Sequence, residues 1–205
     1  MLFRLHRAGH AAPLIALLAC ALTGFPPSVA TAGADGQLEL APLHTGELRW
    51  YYNHAGAPPL VSSARIIEAG EEAARAWAPC GVTITYLAST TAAPGVRDGV
   101  NVVGWGRGLY NAVPFGDPGG VTLPWVENGQ AVEVDIVLVP QTVRTTVELR
   151  TVLMHEFGHA VGVGHSPKPG SLMSASGSTD DMDAHPRPSR AELQRCKGLY
   201  RKGSE

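Results

Sequence analysis

Residues 155–165 read HEFGHAVGVGH and place His155, Glu156, His159, Gly162 and His165 at spacings that build a catalytic zinc site. On a helix, side chains four residues apart share a face, so His155 and His159 can turn both imidazoles toward one ion. Glu156 follows about 100° further round, as ~3.6 residues per turn requires. Its carboxylate then lies beside the metal, able to hold a water without becoming a ligand. Gly162 lets the chain leave the helix through a left-handed cap, which a residue with a Cβ adopts only at a cost. The turn brings His165 back as a third nitrogen ligand. Three protein ligands leave one tetrahedral position for water, the mark of a catalytic rather than a structural zinc. Surface histidines on an ordinary amphipathic helix would explain neither the glycine nor the third histidine. Nor would they explain why three of the six histidines beyond residue 32 fall in residues 155–165.

The chemistry follows from that ligand set. Neutral imidazoles leave zinc its double charge, which draws the pKa of a bound water toward ~7 and polarises a carbonyl. Glu156 is placed to take the water proton as general base and to pass it to the leaving amine. A rival from another class is a zinc-containing recognition module that cleaves nothing. The intact Glu156 speaks against it, since a binding module needs no base beside the metal. His44, His54 and His185 have no partners at ligand spacing and read as surface histidines.

The long motif resembles that of the metzincin metallopeptidases, and within them the matrixins. Ser166 directly after the third histidine and Ser171-Leu172-Met173, similar to the Met-turn, extend the likeness. So does Pro114-Phe115-Gly116-Asp117-Pro118-Gly119-Gly120, similar to the loop before the substrate-binding edge strand. The resemblance covers about residues 46–201. It implies an α+β zincin fold: a twisted, mostly parallel five-stranded sheet with one antiparallel edge strand, two long helices behind it and a C-terminal helix. It also implies that Met173 forms a hydrophobic floor beneath the imidazoles, where an ordinary core methionine is the alternative.

The departures matter as much. Matrixin domains usually hold a second, structural zinc through histidines in the edge strand and the strand after it. Here those segments read Thr122-Leu123-Pro124-Trp125-Val126 and Glu133-Val134-Asp135-Ile136, so one zinc is expected. Calcium at Asp117, Asp135 or nearby carbonyls is a weaker expectation, resting on oxygen ligands alone. Pro124 removes a backbone donor from the strand expected to pair with an extended substrate. After Met173, Ser174-Ala175-Ser176-Gly177 replaces the family's Pro-x-Tyr wall, leaving the peptide preference unread.

The elements that must position these residues are legible in outline. Residues 48–53 read as a first strand bearing Trp50, Tyr51 and Tyr52. Ser62 and Ser63 can cap a helix whose stripe is Ile66, Gly70, Ala73 and Trp77. Residues 82–87 and 100–105 read as further strands. Residues 120–126 and 132–139 flank Glu127-Asn128-Gly129-Gln130 and read as a hairpin. Thr145 with Glu148 makes a capping box that opens the active-site helix, which Leu149, Val152 and Leu153 carry into the core. Ser189 with Glu192 caps a last helix carrying Leu193 and Leu199. The acids at Glu71-Glu72 and Asp180-Asp181 read as solvated faces.

The N-terminus carries Arg4 and Arg7 but no acid, and residues 11–25 form an apolar run before small residues. This reads as a secretory signal peptide over 1–32, too short for a membrane anchor. Leu17-Leu18-Ala19-Cys20 resembles a bacterial lipobox, so anchorage through Cys20 stays open as a minority alternative. Residues 33–47 read as a short, loosely ordered lead-in, and 48–205 as the catalytic domain. The part after the signal, roughly 170 residues, suits one domain with a sizeable core and a monomer acting on protein or peptide. Removing the two signal arginines from 16 basic residues leaves 14 against 18 acidic ones, with no cationic cluster of the kind nucleic acid needs. Cys80 and Cys196 remain beyond the signal and read as one disulfide in an oxidising compartment, with two buried thiols as the alternative. Cys80 superficially resembles the cysteine switch of a matrixin propeptide, but it follows a helix inside the domain and reads as structural.

Overall fold

A computed structural model describes residues 31–32, 38–109, 113–114, 119–168, 170–175 and 186–201. Five strands make the main sheet: β1 (Glu47–Tyr52), β2 (Thr83–Ser89), β3 (Asn101–Trp105), β4 (Gly120–Glu127) and β5 (Gln130–Leu138). Their spatial order is β2-β1-β3-β5-β4. Every neighbouring pair is parallel except β4 with β5. This is the expected mostly parallel sheet with one antiparallel edge, and the strand boundaries fall within two residues of the sequence reading.

Three helices complete the fold: α1 (Ser63–Trp77), α2 (Thr146–Ala160) and α3 (Arg190–Arg201). Among the described residues, no helix is long and apolar enough to cross a membrane. Strand β1 alternates, burying Leu48, Trp50 and Tyr52 while Glu47 and Arg49 face solvent. Trp50 meets α1 and α2 together. Its ring packs edge-on against Phe157, and a Cβ on Gly70 would lie 2.6 Å from its Cζ2. Gly70 is therefore a contact requirement of the apolar stripe, since the indole fills the space a side chain would need. Trp77 closes the same layer by donating its indole N–H to the Met154 carbonyl at 2.9 Å.

The hairpin turn is the two-residue Asn128-Gly129, with φ of 50° and 78°. Positive φ at both positions is what a type I′ turn requires, and its twist matches that of the flanking strands. The turn behind α1 is tied to α3 by the Cys80–Cys196 disulfide, whose Cα atoms are 5.4 Å apart. Burial of both sulfurs at the α1–α3 junction thus ends in a covalent bond rather than two free thiols.

Three expectations need correction. Much of the lead-in is ordered: Leu40 N–H donates to Gly162 O, Ala131 N–H to Pro42 O and His44 N–H to Ala131 O. Tyr200 adds a clamp, its hydroxyl accepting from Leu43 N–H and donating to Val161 O. These backbone groups find partners on β5, in the turn after α2 and on α3, which no local pattern reveals. Glu72 is not simply solvated, because it pairs with Arg150 across α1 and α2 at 3.3 Å. Asp135 is fully buried, and its two oxygens accept the N–H groups of Val102 and Gly95. One oxygen ties down the loop before β3 and the other holds β3 itself, so at Asp135 the calcium expectation meets backbone donors. Residues 1–30 of the expected signal peptide, with the lipobox at Cys20, and Asp117, Asp180-Asp181 and His185 lie outside the described residues.

Candidate metal centre and cleft

Helix α2 carries the centre, and both its ends are fixed by local chemistry. At the start, the Thr145 hydroxyl accepts from Glu148 N–H at 3.1 Å, while the Glu148 carboxylate accepts from Thr145 N–H at 2.7 Å. At the end, Gly162 has a φ of 93°. Its N–H donates to His159 O, and Val163 N–H donates to Gly158 O, each at 2.9 Å. This Schellman arrangement satisfies the last helical carbonyls and turns the chain toward His165.

The three histidines converge. One ring nitrogen from each of His155, His159 and His165 lies within 4.8 Å of the others, and the Nε2 atoms of His159 and His165 are 3.1 Å apart. His155 Nδ1 faces the Leu172 carbonyl at 2.7 Å, and His159 Nδ1 faces the Val163 carbonyl at 2.8 Å. A carbonyl can only accept, so each Nδ1 carries a proton, which in a neutral ring leaves the lone pair on Nε2. Burial, with the neighbouring His155 and His165, holds His159 down to about 3, and burial likewise lowers His165. Neutral imidazoles with lone pairs aimed at a common point are the donor set of a zinc site, and the carbonyl contacts are its outer support. The residues present fit the metal.

Glu156 stands beside this set, only 4% exposed. Burial raises its pKa, partly opposed by His155 and by a hydrogen bond from Thr122. Strand β4 lies directly against it. A Cβ on Gly119 would come within 2.5 Å of Val152 Cγ2, and one on Gly120 within 2.9 Å of Glu156 Cγ. Two glycines let the edge strand reach the helix that bears the carboxylate. Residues 120 and 122 share a face of the strand, so the Thr122 hydroxyl arrives next, 2.6 Å from Glu156 Oε2.

Met173 and the segment around it are held from α3. Met173 is fully buried, and its sulfur would sit 2.5 Å from a Cβ on Gly158, the residue just before His159. Ser166 N–H donates to Met173 O at 2.7 Å. Glu192, 3% exposed, accepts at Oε1 from the Ser171 hydroxyl (2.6 Å) and Met173 N–H (2.9 Å). Its Oε2 accepts from Ser189 N–H at 2.5 Å. The sequence shows Glu192 as a helix cap, which it is. That its other oxygen reaches the Met173 turn has no local signal, because Ser171 and Glu192 meet only after folding. Thr122 was missed for the same reason, having been read only as a strand residue.

His155, His159 and His165 thus come within reach of one another, with Glu156 next to His155 on α2. His44 and His54 stand apart, bonded to Gln130 and to Tyr52. Among the described residues, these three histidines are the one group of metal-ligating side chains within mutual reach. A family model described as Matrixin matches residues 57–201, from within the β1–α1 connection through to the end of α3. No curated protein matches the chain.

Proposed function

The chain belongs to the matrixin family of zinc metallopeptidases, and from that premise we propose that it is an exported endopeptidase in which His155, His159 and His165 hold one zinc and Glu156 is the general base. The observation that carries this reading is the convergence of one ring nitrogen from each of three histidines beside a buried, hydrogen-bonded carboxylate. Zinc, when bound, supplies Lewis-acid polarisation of the scissile carbonyl and acidifies the attacking water. The remaining work belongs to the chain. Glu156, desolvated so that its proton affinity is raised, takes the water proton and delivers it to the departing amine nitrogen as the C–N bond breaks. Leu172 and Val163 carbonyls keep the imidazoles oriented and in one tautomer.

The substrate reading rests on the outer edge of β4, which pairs with no further strand among the described residues. Val134 N–H is turned away from β4 toward Asn101 Oδ1, so the Pro124–Val134 pair is a non-hydrogen-bonded one. By alternation, the backbone groups of Gly120, Thr122 and Pro124 face the open side. An extended peptide lying there finds donors at 120 and 122 but only a carbonyl at Pro124. The Cys80–Cys196 bond agrees with folding in an oxidising compartment.

Glu156→Gln tests the reading, since it keeps shape but cannot accept the proton. We expect one zinc per chain in both proteins by metal analysis. Peptide-library cleavage by the variant should fall ~10²–10⁴-fold. Equal cleavage by the two zinc-loaded proteins would overturn the peptidase reading and leave the recognition module.

A further inference from the structure

We infer that Thr122, on the edge strand β4, is a positioning residue for the general base, its hydroxyl fixing which carboxylate oxygen of Glu156 receives the proton. The inference deepens the reading above and rests on Glu156 being the base. Three observations carry it. The hydroxyl is 2.6 Å from Glu156 Oε2, a short contact of the kind a charged acceptor gives. The same hydroxyl lies 3.0 Å from the Glu156 main-chain carbonyl, so its single proton has a second acceptor on the same residue. Finally, the carboxylate is confined, because the site of a Cβ on Gly120 lies 2.9 Å from Glu156 Cγ and 3.1 Å from Oε1.

Gly120 and Thr122 therefore grip the side chain from one face of β4. Gly120 leaves room for the methylene, and Thr122 supplies the donor two residues on. With Oε2 engaged, Oε1 is the oxygen left for the water proton. A carboxylate on a freely rotating side chain would spend much of its time with neither oxygen aimed at the water. Because general-base catalysis demands hydrogen-bond reach, that loss falls on kcat. Once Oε1 is protonated, Oε2 becomes a poorer acceptor, and the hydroxyl can turn to the Glu156 carbonyl without moving its oxygen. The main-chain N–H of Thr122 faces the open edge, so one residue links the base to the strand against which a peptide would lie.

Two pairs of variants isolate the hydroxyl from side-chain shape. Wild type differs from Thr122→Val by the hydroxyl exchanged for a methyl group, and Thr122→Ser differs from Thr122→Ala by the hydroxyl alone. Each hydroxyl-bearing member should have a kcat about tenfold above its partner, with KM and zinc content unchanged. A crystal structure of metal-free Thr122→Val should show the Glu156 carboxylate displaced from its wild-type position, while Thr122→Ser keeps it. The second pair decides the matter should the valine variant fail to fold. Equal kcat within the pairs, or an unmoved carboxylate, would overturn the inference. If Glu156→Gln is inactive while the pairs are equal, only this inference fails. If Glu156→Gln retains full activity, the proposed function fails first.

Discussion

Replacing Glu192 with glutamine should destabilise the protein by an amount the geometry sets, and the penalty should vanish in acid. The carboxylate accepts three hydrogen bonds: Ser171 hydroxyl and Met173 N–H at Oε1, Ser189 N–H at Oε2. Glutamine keeps one carbonyl oxygen for the first two but turns an NH₂ group toward Ser189 N–H. That converts a charge-assisted bond into a donor–donor contact and weakens the other two. Hydrogen bonds to charged groups contribute ~1.5–3 kcal/mol, so a loss of about 2–3 kcal/mol is expected, or roughly 5–10 °C in Tm for a chain of this size. The pH dependence has a definite sign. Burial raises the Glu192 pKa, but the hydrogen bonds from Ser171, Ser189 and Met173 outweigh it, so the net shift is downward from 4.5. A depressed folded-state pKa gives stability that is present above the unfolded value and is lost as pH falls through the folded one. Urea unfolding of metal-free wild type and Glu192→Gln, followed from pH 7 to acid, should show a gap that is constant near neutrality and shrinks as pH falls below 4.5. Using metal-free protein keeps acid release of zinc out of the comparison. A gap under about 0.5 kcal/mol at pH 7, or one independent of pH, would refute the idea that an ionised Glu192 pins the Met173 turn.

Other consequences can be checked with the same tools. Gly162→Ala forces a side chain to a φ of 93° and sets its Cβ 3.2 Å from Pro42 Cα and 3.3 Å from Ala41 O. Left-handed strain and backbone contact together should cost about 2–4 kcal/mol and weaken zinc retention through His165, read by chelator competition. Reducing Cys80–Cys196, which closes a separation of 116 residues, should lower stability by about 4–5 kcal/mol in a chain-entropy estimate, read as a drop in Tm with reductant. Burial pushes Asp135 up from 3.8 to about 7 against the pull of Val102 and Gly95 N–H. Its contribution is therefore fully present below about 3.8 and lost as pH rises through about 7. Denaturation midpoints from pH 5 to pH 8 should fall more steeply for wild type than for Asp135→Asn, and parallel profiles would contradict this.

The sequence by itself determined what depends on near neighbours along the chain. The spacing of His155, His159 and His165 and the glycine between the last two follow from helical periodicity and a left-handed cap, both local matters. So do the Thr145–Glu148 capping box and the Asn128-Gly129 turn, each realised where the residues stand. The order of strands and helices was legible because each element carries its own apolar pattern. Tertiary structure alone decided what joins residues far apart in the chain. Only folding lays Gly120 and Thr122 on Glu156, brings the Glu192 carboxylate to Met173, and turns one Asp135 oxygen onto the loop before β3 and the other onto β3 itself. The placing of residues 40–46 belongs here too, since their partners lie on β5, in the turn after α2 and on α3. A glutamate, a threonine and a short lead-in look ordinary in sequence because a hydrogen bond depends on direction and on burial. Those are properties of the packed chain, not of the residue that makes the bond.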